Sequence, residues 1–121
     1  KIETLMMVDS LQMTNTERQY ILEKCKKEKT DKIIITHGTD TMVQTAEFIA
    51  KHIKDKIIIL TGAMIPIKFG SSDGLFNMGS ALAYVQALNQ GIYISMNGQF
   101  FNYKNVRKNN KLGIFEELEA Y

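Results

Sequence analysis

Short apolar runs that alternate with longer amphipathic ones constrain this chain more than any other feature. "IETLMMV" (Ile2–Val8), "KIIIT" (Lys32–Thr36), "KIIILT" (Lys56–Thr61) and "GIYISM" (Gly91–Met96) are apolar almost throughout, without the polar alternation of a half-solvated strand. Strands of that kind belong in a sheet covered on both faces, and the stretches between them are long enough to be crossover helices. The first, "TNTERQYILEKCKKEK", opens with Thr14 and has Glu17 three residues on, the capping-box spacing. The second, "DTMVQTAEFIAKHI", carries Val43, Ala46, Ala50 and Ile53 at helical spacing. The third, "LFNMGSALAYVQALNQ", has Ser72 or Asp73 as candidate caps and stops at Gly91. The alternation predicts an α/β fold, a three-layer Rossmann-like domain with a mainly parallel sheet. "NGQFFNYKNVRKNNKLG" is polar and turn-rich without a clear period, and "IFEELEAY" reads as a short tail.

Composition narrows the function classes. With 121 residues, 45% hydrophobic and 23% charged, the chain can build one cored domain, taken as residues 1–121. Fifteen Lys/Arg face thirteen Asp/Glu, a formal charge of +2, and the two signs are intermixed, which argues against a nucleic-acid partner. No apolar run approaches the roughly 20 residues that cross a bilayer. Cys25 has no partner for a disulfide and reads as a small apolar helix residue; a reducing, cytoplasmic setting is expected. The chain opens on "KIETLMMV" without an initiator Met, so its first residue is expected not to be the first of the gene product.

In a parallel sheet, ligands gather at the carboxyl ends of the strands. Those ends read Val8-Asp9-Ser10, Thr36-His37-Gly38-Thr39-Asp40, Thr61-Gly62-Ala63 and Met96-Asn97-Gly98, so hydroxyls, carboxylates, amides and glycines converge on one edge. A helix cap explains part of Thr39-Asp40-Thr41: a side-chain oxygen takes an orphan N–H, worth about 1 kcal/mol. It leaves His37, Gly38 and the second threonine unexplained. The alternative is nucleophilic or acid–base chemistry, because a threonine hydroxyl needs a base and a lysine can serve when its surroundings depress its basicity. Two separated histidines, His37 and His52, do not form a metal ligand set, and "GTDT" lacks the glycine-rich body of a phosphate loop, so no metal or cofactor is expected.

Beyond these patterns, "THGTDTMVQTA" closely resembles a signature of the bacterial-type L-asparaginases, the asparaginase/glutaminase family. "DSLQMT" (Asp9–Thr14), "LTGAMIP" (Leu60–Pro66), "SSDGLFN" (Ser71–Asn77) and "MNGQFFNYKNVRK" (Met96–Lys108) resemble further family segments in the same order, over nearly the whole chain. The resemblance implies the fold of an asparaginase N-terminal domain. It also implies a Thr-Lys-Asp triad of Thr39, Lys108 and Asp40, with Asp40 doubling as a binder of a substrate α-amino group. Asp9 and Ser10 would lie by the substrate α-carboxylate and amino group, and the Ala63 backbone by the scissile amide. Lys108 is preferred over Lys104 and Lys111 by its place in the last segment alone. Gly62, Gly74 and Asn77 are expected to shape turns.

The departures from the family pattern matter too. Leu11 and Gln12 stand where members carry a polar and an acidic or amide residue. The family's other threonine, generally its attacking nucleophile, belongs to an amino-terminal "TGGTI" strand that has no counterpart in these residues, and no carboxyl-terminal domain is expected. A preceding segment, or a strand from another chain, is expected to complete the sheet, and a homodimer would cover an open edge. The leading expectation is therefore an amidohydrolase acting on a small amino-acid amide, L-asparagine or L-glutamine, by a threonine-dependent mechanism. The alternative is a non-catalytic amino-acid-binding or regulatory domain that keeps the shape of the site.

Overall fold

The computed structural model describes residues 2–3, 5–65 and 72–118. Parallel strands β1 (Lys32–Thr36), β2 (Ile57–Thr61) and β3 (Gly91–Met96) lie side by side, and β4 (Gln99–Asn102) adds antiparallel to β3, giving a four-stranded sheet in the order β1-β2-β3-β4. Register runs Lys32 to Ile57 and Thr36 to Thr61, so β1 and β2 end level, at the edge where the polar residues collect. Helices α1 (Asn15–Lys27) and α2 (Met42–Ala50) cover one face and α3 (Gly74–Ala87) the other. The three layers match the α/β expectation.

Burial follows from the side-chain patterns. β2 is buried along its whole length, as expected of a strand with neighbours on both edges and helices on both faces. Ile58, Leu60, Ile92, Ile94 and Met96 point to the α1/α2 side, where they meet Ile21, Leu22, Cys25, Met42, Ala46 and Ile49. Ile57 and Ile59 point the other way, against Ala81 and Val85 of α3. The period of two divides the sheet between its layers, and the stripes Ile21/Leu22/Cys25 and Met42/Ala46/Ile49 supply the helical complement. The capping box at α1 is present on both sides, Thr14 with Glu17. Burial pushes the Cys25 thiol up to about 11, consistent with a packing role.

Three expectations need correction. Ile2–Val8 does not form a strand in its described residues; Ile2 and Met7 stand exposed, and only Leu5 and Met6 lean on the core. Apolar composition favours burial but creates no strand without a partner edge. β1 pairs with β2 on one side, and its other edge pairs with no strand among the described residues. The tail is not featureless: β5 (Arg107–Asn109) and β6 (Ile114–Glu116) make an antiparallel hairpin, with Lys108 opposite Phe115. Finally, α3 ends at Ala87, before Gly91, which instead opens β3.

Candidate active site

The hairpin and the turn after β1 meet at one point. Val106 and Phe115, both buried, pin the hairpin to the α1/α2 side of the core. Because strand side chains alternate, Lys108 shares the face of Val106 and turns inward, while Arg107 points out and pairs with Glu116 at 2.6 Å. Lys108 Nζ donates to Thr39 Oγ1 at 2.9 Å and to Asp40 Oδ1 at 2.8 Å, joining residues 69 and 68 positions apart. Its side chain is 16% exposed against 41% for Asp40, so this ion pair sits at the mouth of a cleft and not in the core. The cleft, of about 520 Å³, runs from Thr39, Asp40 and Lys108 along α2 past Val43, Gln44 and Glu47.

The cap reading of this turn does not hold. Thr41 is the N-cap of α2, yet its side chain makes no capping bond. Its hydroxyl instead donates to the Ser10 carbonyl at 2.8 Å, and its backbone N–H donates to Ser10 Oγ at 2.8 Å. Ser10 Oγ in turn donates to the Gly38 carbonyl at 3.1 Å. A Cβ on Gly38 would collide with the Ser10 side chain, so the close approach of the two loops requires glycine there.

Beneath the turn lies a second polar group, whose side chains Arg18, His37 and Thr45 are buried. A carbonyl oxygen can only accept, so the 2.6 Å contact from His37 Nδ1 to the Gly38 oxygen places the ring proton on Nδ1. Nε2 then accepts from the Thr45 hydroxyl at 2.8 Å, and Arg18 Nε donates to that same hydroxyl oxygen at 2.8 Å. Burial holds the His37 pKa below its ordinary value, outweighing the bond to Gly38, with the nearby Arg18 charge acting in the same direction. A neutral imidazole fits this arrangement of donors and acceptors.

Of the residues singled out from the sequence, Thr39, Asp40 and Lys108 are in direct contact. Asp9 is exposed and accepts from Leu11 N–H at 3.0 Å, opening a short 3-10 turn, Ser10–Gln12. Ser10 is buried, with its hydroxyl engaged by the turn itself. Ala63 follows β2 and is half-buried. Gly62 packs so tightly that a Cβ there would run into the His37 carbonyl oxygen, so the exits of β1 and β2 touch. Arg18 and Thr45 were not anticipated. The available signal was a polar residue on an otherwise apolar helix stripe, since a buried polar group needs a partner. Among the described residues, no group of three or more His, Cys, Asp or Glu could hold a metal ion, and no helix is long and apolar enough to cross a membrane.

Comparison with known proteins bears directly on this edge. Residues 1–116 match the family model "Asparaginase, N-terminal". L-asparaginase 2 of Escherichia coli (strain K12) is 40% identical over 87 residues, which are 69% of this chain and 25% of that protein. Glutaminase-asparaginase of Acinetobacter glutaminasificans is 40% identical over 87 residues, 69% of this chain and 26% of that protein. The thermostable L-asparaginase from Thermococcus kodakarensis superposes with a TM-score of 0.85 at 27% identity, covering 94% of this chain and 37% of that one. The probable cytoplasmic L-asparaginase from Campylobacter jejuni gives 0.76 at 36% identity, covering 84% and 33%. The chain thus spans about a quarter of the length of the curated relatives it matches. With fold, strand-end motifs and family match in agreement, the chain belongs to the asparaginase family, in the part that corresponds to the family's N-terminal domain.

Proposed function

We propose that this domain carries the Thr-Lys-Asp part of an amidohydrolase site, and that the protein to which it belongs hydrolyses L-asparagine, with L-glutamine as a second substrate, to the acid and ammonia. The observation that carries this reading is Lys108 Nζ, held at once by Thr39 Oγ1 and Asp40 Oδ1. That contact draws together two segments far apart in the chain, at the edge where the strand ends converge. The names of the relatives, L-asparaginases and glutaminase-asparaginases, support the substrate class.

In this reading a hydroxyl attacks the amide carbon, forming a C–O bond, and the C–N bond breaks as the nitrogen takes up a proton and leaves as ammonia. Water then cleaves the resulting ester and regenerates the hydroxyl. Lys108 and Thr39 form a proton-handling pair beside the reacting centre, and Asp40 orients Lys108 while its second oxygen is available to a substrate ammonium. The attacking hydroxyl in the family belongs to an amino-terminal threonine with no counterpart in these 121 residues, so Thr39 is assigned the supporting role.

The test uses the protein at its full natural length. It is expected to release ammonia from L-asparagine, and Thr39→Val to abolish that release while the fold persists. An active Thr39→Val protein removes this turn from the mechanism. One observation favours the second reading, a non-catalytic amino-acid-binding domain: the Ser10 hydroxyl is engaged inside the fold. Calorimetry showing tight binding of L-aspartate without turnover of L-asparagine would decide for it.

A further inference from the structure

Asp73 was expected to be a candidate helix cap and Asn77 to shape a turn; the cap is not made, and Asn77 joins two turns at once. Asp73 is the N-cap of α3, but its carboxylate makes no capping bond. It reaches back to the β2 exit, where Oδ2 accepts from Met64 N–H at 3.1 Å and Oδ1 from Ile65 N–H at 3.0 Å. Partial burial alone would raise the Asp73 pKa, but the donors at Ile65, Met64 and Asn77 outweigh it and hold the carboxyl below its usual range. Asn77, one turn on and fully buried, donates through Nδ2 to the Gly62 carbonyl at 2.8 Å and to Asp73 Oδ2 at 3.0 Å. Its Oδ1 accepts from Asn97 N–H at 3.1 Å, which ties in the β3–β4 turn, where Asn97 has a φ of 57°.

These bonds bracket a single residue. Gly62 and Met64 flank Ala63, and each lends α3 the peptide group it shares with Ala63. A trans peptide is planar, with its C=O and N–H pointing in opposite directions. If the Gly62 carbonyl is turned toward Asn77, the N–H of Ala63 must point away from α3. If the Met64 N–H is turned toward Asp73, the carbonyl of Ala63 must point away from α3 as well. The sheet edge beyond is the α2 side, where the turn bearing Thr39 begins α2. Both polar groups of Ala63 are thus turned away from α3 by bonds that its neighbours make.

We propose that Asp73 and Asn77 are positioning residues for the candidate site: they fix the peptide planes on either side of Ala63 and so hold the β2 exit in one orientation against the turn that bears Thr39, which it touches at Gly62 and His37. The inference rests on the amidohydrolase reading. An unanchored loop would offer the same groups in scattered orientations, and a misplacement of about 1 Å can cost about 100-fold in rate.

The test combines two readouts on the full-length protein, its Asp73→Asn variant and a Ser72→Ala control, which removes only the bond that Ser72 Oγ receives from Gly74 N–H. Amide hydrogen exchange should show Met64 and Ile65 protected in the wild type and at least about tenfold faster in D73N, with Ile58 to Leu60 unchanged. In ammonia release, D73N should lose about 100-fold in kcat with KM within about twofold, while S72A keeps both. Unprotected Met64 and Ile65 amides in the wild type overturn the clamp. Faster exchange with unaltered kcat overturns its part in positioning. Loss of protection at Ile58 to Leu60 in step with kcat reduces Asp73 to a general structural residue and also overturns it. A wild type inactive on both amides overturns the amidohydrolase reading and with it the catalytic clause, whereas an active wild type beside an equally active D73N overturns this inference alone.

Discussion

The turn from His37 to Thr41 has two sides that obey different rules. Its underside is a chain of bonds, Arg18 to Thr45 to His37 to Gly38, in which each named donor meets an acceptor and the three side chains are buried. Its upper side is Lys108 between Thr39 and Asp40, bonded at similar distances but open to solvent on the Asp40 flank. Burial makes the first costly to break, because a buried group left without a partner bears its full desolvation cost. Exposure makes the second a weak contributor to stability, since screened ion pairs are worth about 0–1 kcal/mol. The lower chain of bonds therefore explains why the turn holds its shape. The upper contact adds little to folding, as the proposed role of Thr39, Asp40 and Lys108 in proton handling leads one to expect.

The comparison breaks if the two sides respond alike to substitution. The largest expected effect is Thr39→Val, which should lower ammonia release about 1000-fold or more while the unfolding free energy in denaturant titration stays within about 0.5 kcal/mol. Lys108→Met should follow at about 100-fold or more in kcat/KM, with a change in stability below about 1 kcal/mol. Thr45→Val should do the reverse. It leaves Arg18 Nε and His37 Nε2 without their shared partner, so about 2–3 kcal/mol of stability should be lost while the folded fraction keeps its turnover within about tenfold. A stable Thr45→Val protein with collapsed activity would reverse the assignment of roles.

The smallest effect is the dependence of stability on pH. His37 has a folded pKa below its ordinary value of 6.5, with burial the main cause. As pH falls below 6.5, the unfolded chain takes up a proton on this ring before the folded one does, so stability should decline from there until the folded pKa is reached. Thermal unfolding of the wild type between pH 7.5 and 5.5 should show that decline, and His37→Gln should flatten it. The lowered Asp73 and Glu116 carboxyls act in the same direction at lower pH, below their ordinary 3.8 and 4.5, which keeps the histidine window separate.

Legibility in the sequence tracked how much each feature depends on its neighbours. β1, β2 and β3 and the three helices could be placed because apolar runs and helical stripes report burial locally. Ile2–Val8 misled because the same composition serves an exposed segment when no edge accepts it. The hairpin around Lys108 left no period to read, since a short strand such as Arg107–Asn109 has too few residues, and only the family resemblance pointed to it and to Lys108. Thr39 and Asp40 stood out by type and place, but the cap first considered for them is not made, because Ser10 takes over the Thr41 hydroxyl from 31 positions away.

Sequence by itself determined the order of the three parallel strands and three helices, the faces they bury and the edge at which polar side chains collect, because burial and periodicity are written into runs of neighbouring residues. Only the tertiary structure decided that Lys108 touches both Thr39 and Asp40, which polar groups join under the turn, and that Asp73 before α3 and Asn77 within it bond the peptides around Ala63. Each of those is a contact between distant segments, and no local pattern encodes a distance that the packing of three layers creates.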